Sequence, residues 1–229
     1  MSGIARSLDE VRARIARATA ACGRDPGAVT LVAVSKTHGA DAIREAYAAG
    51  QRDFGENYAQ ELEGKARALA DLGELRWHFI GHLQGNKAKL VAPFAAMVEA
   101  VDSARLAAEL SRVAERLGRR IPCLVQVNVG EEPQKSGCAA AEAEDVLRAV
   151  EGAPGLELAG LMTLPPFDLD ASETRVHFRA LRELREARGG AVRLPHLSMG
   201  MSHDFEEAIA EGATIVRVGT AIFGDRPRR

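Results

Sequence analysis

Lys36 closes the stretch Val29-Thr30-Leu31-Val32-Ala33-Val34-Ser35-Lys36, in which six of the first seven residues are apolar or β-branched. Such a run predicts a strand buried on both faces, ending in a primary amine. Of the thirty basic residues only five are lysines: Lys36, Lys65, Lys87, Lys89 and Lys135. A chain that uses arginine for ordinary surface charge has placed a lysine at the mouth of its most hydrophobic strand. Arginine keeps its proton, whereas a desolvated lysine can shed its own and form a Schiff base with a carbonyl. An ordinary strand-end lysine snorkels into water. The chemical reading therefore depends on what else converges on Lys36.

Two further stretches could bind an anion. In Ser198-Met199-Gly200-Met201-Ser202-His203-Asp204 small residues and hydroxyls stand where a helix is expected to open, with Asp204 and Glu206 in its early turn. Unpaired N–H groups at such a place suit a phosphate, although a plain serine N-cap is the commoner use. The segment lacks the last glycine of a G-x-S-x-G elbow, and Ser, His and Asp adjacent in one chain cannot take triad geometry. In Arg217-Val218-Gly219-Thr220 the arginine falls in a β-branched run, where burial requires a partner. Gly219 allows close backbone approach and the Thr220 hydroxyl can reach a phosphate oxygen. An arginine paired with a carboxylate explains Arg217 equally well.

Metal and dinucleotide chemistry find little support. His78 and His82 are separated by Gly81, and a strand followed by a turn does not hold them as a ligand pair. They are expected to be core or hydrogen-bonded histidines. No C-x-x-C, H-E-x-x-H or G-x-G-x-x-G pattern occurs.

The elements that must carry these groups alternate. A first helix follows the stripe Ile4, Leu8, Val11, Ile15, Ala18 and Cys22 and stops near Gly23. Strands are expected at 29–36, 53–55, 76–81, 97–101, 123–129, 156–162, 194–198 and 214–219, with helical patterns between them. Among these are 40–49, a helix with Leu106, Leu110, Val113 and Leu117, and another over about 172–187. Eight strands separated by helices in 229 residues predict a parallel sheet closed into a barrel, with an open doubly wound sheet as the competing arrangement. Little chain remains after the last strand, so the first helix is expected to take the place of the eighth outer one. In a barrel Lys36, Asn57, His82, Asn128, Met162, Ser198 and Arg217 would all lie near one rim, where sites are built. No linker divides the chain, and residues 1–229 read as one domain with a frayed tail at about 225–229.

A net charge near −2 and 4% aromatic residues give no case for nucleic acid as a partner. No apolar run approaches a membrane span, and the N-terminal stretch is unlike a secretory signal. Three scattered cysteines, Cys22, Cys123 and Cys138, fit a reducing compartment better than a disulfide framework. A cytoplasmic protein is expected.

Together, Ala33-Val34-Ser35-Lys36-Thr37, Phe54-Gly55-Glu56-Asn57-Tyr58, Trp77-His78-Phe79-Ile80-Gly81-His82-Leu83-Gln84, Lys135-Ser136-Gly137, Leu197 to Ser202 and Val216 to Gly224 resemble the YggS/PROSC family of pyridoxal phosphate (PLP) homeostasis proteins. The likeness runs in order along essentially the whole chain. It implies an α/β fold, a single (β/α)8 TIM barrel of the alanine-racemase N-terminal type with an extra N-terminal helix. It further implies PLP held as an aldimine on Lys36, with Asn57, Ser198, Gly200, Ser202, Arg217, Gly219 and Thr220 as the other cofactor-binding residues. Ser202, Gly200, Gly219 and Thr220 would hold the phosphate, Asn57 would orient ring or phosphate, and Arg217 would face the pyridine nitrogen. The residue after Gly81 varies in the family, so His82 is not carried over.

The implied function is to balance the supply of B6 vitamers as a carrier or regulator without established turnover. PLP-dependent apoenzymes are the candidate recipients, and a monomer or weak homodimer is expected. A PLP-dependent amino-acid racemase is the alternative. It would need a second base opposite the lysine, and neither tyrosine, Tyr47 or Tyr58, has a strong claim to that role. A Schiff-base aldolase acting on a sugar phosphate is a third possibility.

Overall fold

The computed structural model describes residues 3–130, 136–166 and 169–225. Lys135 and the tail beyond Asp225, both noted above, lie outside them. The elements follow one another as α1 (Gly3–Ala21), β1 (Thr30–Val34), α2 (Ala40–Ala48), β2 (Asp53–Glu56), α3 (Ala59–Ala68), β3 (Arg76–Phe79), α4 (Ala88–Val91), β4 (Ala95–Val101), α5 (Ala104–Arg116), β5 (Ile121–Gln126), α6 (Ala143–Glu151) and β6 (Leu156–Met162). Then come α7 (Ala171–Ala187), α8 (Gly190–Arg193), β7 (His196–Ser198), α9 (Phe205–Ala210), β8 (Ile215–Val218) and α10 (Thr220–Phe223).

All strand pairs are parallel and each strand neighbours the next in sequence. The first and last strands pair from Thr30↔Ile215 to Ala33↔Val218, which closes the barrel and rules out the open sheet. Because side chains alternate along a strand, each strand serves two cores. Leu31 and Ala33 face the helices, as do Phe54, Trp77 and Phe79, in the large outer core. Val32 faces inward with Ala100, Leu124, Ala159, Met162 and Ile215, a smaller apolar plug inside the barrel. The same period of two that turns Val32 and Val34 inward places Lys36 on the interior side of the rim.

The helix ring is completed from the other end of the chain. Among the described residues only the four-residue α10 follows β8, and α1 packs against α2, α9 and α10 in the vacant sector. Leu8, Val11 and Ile15 of its predicted stripe are buried, but the buried stripe ends in Thr19, and Cys22 lies past the helix and is exposed.

Several boundaries differ from the pattern reading for local reasons. β5 ends at Gln126 because Asn128 N–H turns away to Cys138 O (2.9 Å). β7 starts at His196, since α8 takes the preceding residues and Leu194 N–H closes on Gly190 O (2.9 Å). The helix expected to open at Met199–Ser202 begins only at Phe205, because the Asp204 carboxylate accepts the Met201 N–H and holds a turn there.

Candidate functional site

The C-terminal ends of six strands meet around a pocket lined by Val34, Lys36, Asn57, Ile80, Leu164, Met201, Ser202, His203, Arg217, Gly219 and Thr220. Active sites of this fold occupy the same face. β1 delivers Val34 and Lys36, β2 delivers Asn57, and β3 delivers Ile80. Leu164 follows β6, Met201 to His203 follow β7, and Arg217, Gly219 and Thr220 come from β8 and its end.

One wall gathers backbone N–H and hydroxyl groups. The Ser202 hydroxyl oxygen accepts the N–H of Gly219 (3.2 Å) and of Ala221 (3.3 Å), so it occupies the place where backbone donors of the β8–α10 junction converge. Gly200 makes this approach possible from below. Its φ of +96° is left-handed, and a Cβ there would stand 2.7 Å from the Ala208 Cβ and 2.8 Å from the Phe205 Cα. Across the pocket, the Asn57 side-chain oxygen is buried without a hydrogen-bond partner. Asn57 is itself packed against Gly81, where a Cβ would come within 2.2 Å of the Asn57 carbonyl oxygen.

Beneath the pocket a chain of charged groups crosses the barrel interior, where branched apolar side chains usually fill the space. At the bottom Arg76 grips Asp53 through two bonds, 2.7 and 2.6 Å. His78 lies between Asp53 (Nε2 to Oδ1, 3.1 Å) and Glu99 (Nδ1 to Oε1, 2.7 Å). Ser198 donates its hydroxyl proton to the other Glu99 oxygen and accepts from the Arg217 guanidinium. Arg217 also donates to Thr163 O (2.8 Å).

Burial alone would lower the His78 pKa, yet the two carboxylates outweigh it and raise the value to about 9, so both ring nitrogens carry hydrogens. Asp53 is driven the other way, to about 2: burial would raise it, but His78 and Arg76 prevail. Burial lowers the pKa of Arg217, opposed by Glu99 and Asp204. These opposed charges satisfy one another, as buried ions must.

Of the residues expected at the site, Lys36, Asn57, Ser202, Arg217, Gly219 and Thr220 line the one pocket. Ser198 does not; it is fully buried below, linking Glu99 to Arg217. Gly200 does not line it either, and acts through its turn. No helix opens directly after Ser202; its hydroxyl faces the β8–α10 junction instead. Pattern reading missed Thr163 and Glu99, which hold Arg217, and also the Ala221 N–H. His78 is hydrogen-bonded as expected, and His82 stands 3.3 Å from Asp102 at the surface. Among the described residues no cluster of His, Cys, Asp or Glu could hold a metal ion. No helix among them is long and apolar enough to cross a membrane.

The fold and its rim pocket define a barrel of the alanine racemase N-terminal domain class, and the family model for that domain matches residues 7–227. The alanine racemase of Corynebacterium glutamicum shares this fold at a TM-score of 0.70 with 21% identity, the match covering 99% of this chain and 62% of that one. Likeness to smaller proteins is closer. The pyridoxal phosphate homeostasis protein of Pseudomonas aeruginosa is 48% identical over 229 residues, covering 99% of this chain and 97% of its own. The Escherichia coli K12 protein of the same name is 45% identical over 232 residues, covering 99% and 98%. PipY of Synechococcus elongatus, solved with PLP bound, superposes at a TM-score of 0.83 with 41% identity over 96% of this chain and all of that one. The chain belongs to the pyridoxal phosphate homeostasis protein family.

Proposed function

We propose that this protein binds PLP in the rim pocket, with Lys36 as its covalent attachment point, and serves B6 vitamer homeostasis in the cytoplasm as a carrier or regulator. The observation that carries the reading is that a strand-end amine and a cradle of N–H and hydroxyl donors face the same small space. Bound PLP supplies an aldehyde carbon that condenses with a neutral primary amine, releasing one water.

Each pocket residue has a part that follows from its chemistry. Lys36 provides the amine at the pocket floor. Ser202 and Thr220 offer hydroxyls, and Gly219 and Ala221 offer the N–H groups that Ser202 now satisfies, together a fitting set for a phosphate dianion. Asn57 brings an unpaired polar atom that a ligand can satisfy. Arg217 has donors only and no acceptor, so a ring nitrogen facing it stays unprotonated, which weakens the ring as an electron sink.

The last point supports storage or delivery over turnover. So does the placement of the tyrosines. Neither lines the pocket: Tyr47 lies under the Arg52 guanidinium at 4.0 Å and Tyr58 is exposed. The recipients proposed are PLP-dependent apoenzymes, reached without membrane or nucleic acid, by a protein that is a monomer or a weak homodimer.

Lys36→Ala tests the reading. The variant should fold, bind PLP without the visible absorbance of the covalent adduct, and release all its cofactor on gel filtration. Retention of that absorbance would move the attachment to another lysine.

A further inference from the structure

Lys36 is flanked by two residues that are both tied to α3. Lys65, on that helix, is buried to a side-chain exposure of 10%. Its three ammonium protons go to Ser35 O (2.7 Å), Glu56 Oε1 (2.6 Å) and Glu61 Oε1 (2.7 Å). The Ser35 hydroxyl donates to the same Glu56 oxygen at 2.6 Å. On the far side of Lys36, the Thr37 N–H donates to Glu61 Oε1 at 2.7 Å.

Thr37 is the sole non-glycine residue with positive φ, +70°, among the described residues. A β-branched residue is costly there, and such strain persists only where surrounding contacts impose it. The contact in question is visible: the carboxylate of Glu61 holds the Thr37 amide, and Lys65 holds Glu61. The Thr37 hydroxyl is buried without a partner, so the side chain does not repay the strain. The turn sits directly after the amine-bearing residue, and it sets the direction in which the backbone leaves Lys36.

We infer that Glu61, fixed by Lys65, is a positioning residue for Lys36: by accepting the Thr37 N–H it maintains the left-handed turn that keeps the amine aimed into the pocket. The inference rests on the proposal that Lys36 is the attachment point. It explains why a lysine with no access to the pocket is kept among so few. Lys65 fills all three of its donors inside the clamp, a geometry that arginine's planar fork would not reproduce.

The test compares rates at which PLP becomes attached to the full-length protein, measured by borohydride trapping at timed intervals and peptide mapping of Lys36, with melting temperature recorded alongside. Glu61→Ala should slow attachment at Lys36 about tenfold, equivalent to ~1.4 kcal/mol. Glu61→Gln, which keeps an acceptor oxygen, should stay within about twofold of wild type. The deciding variant is Glu61→Ala with Thr37→Gly. Glycine adopts positive φ without steric cost, so the rate should return towards wild type even though Glu61 is missing.

A role confined to stability would lower the melting temperature without this rescue. If Glu61→Ala folds poorly, Glu61→Asp, one methylene shorter, replaces it in both the single and the double variant. Wild-type attachment rates in the Glu61 variants, or a double variant as slow as the single, would overturn the inference. Absence of label on Lys36 in the wild-type protein would instead overturn the attachment proposal on which it rests.

Discussion

Raising the pH from 6.5 to 8.5 should remove about 2 kcal/mol of stability through His78 alone. The imidazole is enclosed between Asp53 and Glu99, and these carboxylates, against the opposing effect of burial, lift its pKa from 6.5 in the unfolded chain to about 9. A group with a raised folded pKa contributes fully below the unfolded value and loses its contribution as pH climbs to the folded one. Between 6.5 and about 9 the folded state therefore holds a proton that the unfolded state has lost. Stability then falls by ~1.4 kcal/mol per pH unit.

Burial lowers the pKa of His38 and of His196, so they act below 6.5 and with the opposite sign. The buried thiols of Cys123 and Cys138, pushed up by burial, matter only above their ordinary value of 9.0. The assay is urea unfolding at both pH values for the wild-type protein and for His78→Gln, which can hydrogen-bond to the same carboxylates but cannot titrate. The wild-type protein should lose about 2 kcal/mol more than the variant. Parallel losses would mean that His78 is not a buried cation, and that the charge chain beneath Arg217 is wrongly described.

Ser202→Ala combined with Thr220→Val should weaken PLP about tenfold while leaving pyridoxal nearly unchanged, as measured by cofactor fluorescence titration, because both hydroxyls serve the phosphate alone. Equal losses for the two vitamers would place the phosphate elsewhere. Gly81→Ala puts a Cβ 2.2 Å from the Asn57 carbonyl oxygen and should both lower the melting temperature and weaken PLP. Gly64→Ala, in the interior of α3 with open space around it, should instead raise stability by ~0.5–1 kcal/mol, seen as a higher urea midpoint.

The barrel was legible because its signals are repeated. Eight apolar runs separated by helical stripes admit few arrangements, and the shortage of chain after β8 pointed to α1 as the missing outer helix. Lys36, Arg217 and Gly219 were legible for a different reason: each is chemically odd for its place in a strand. Ser198 was misplaced in the pocket because proximity to a strand end does not say whether a side chain tops the rim or fills the layer below. Here Glu99, on β4 three strands earlier in the chain, draws Ser198 down into the interior. Lys65 shares the scarcity of Lys36, but it falls inside a helical pattern, where a lysine four residues after a glutamate is an ordinary surface arrangement. Only the packing of α3 beside the ends of β1 and β2 buries Lys65 and brings Glu61 within reach of Thr37. Thr37 gave no warning, since a left-handed threonine is imposed by its neighbours and not by its own preference.

The most direct test of the account is hydride reduction of the PLP-loaded protein followed by mass mapping of its lysine peptides. The pocket predicts a single stoichiometric pyridoxyl label, on Lys36. A label confined to Lys65, Lys87, Lys89 or Lys135, or no label at all on a protein that still retains PLP, would contradict it.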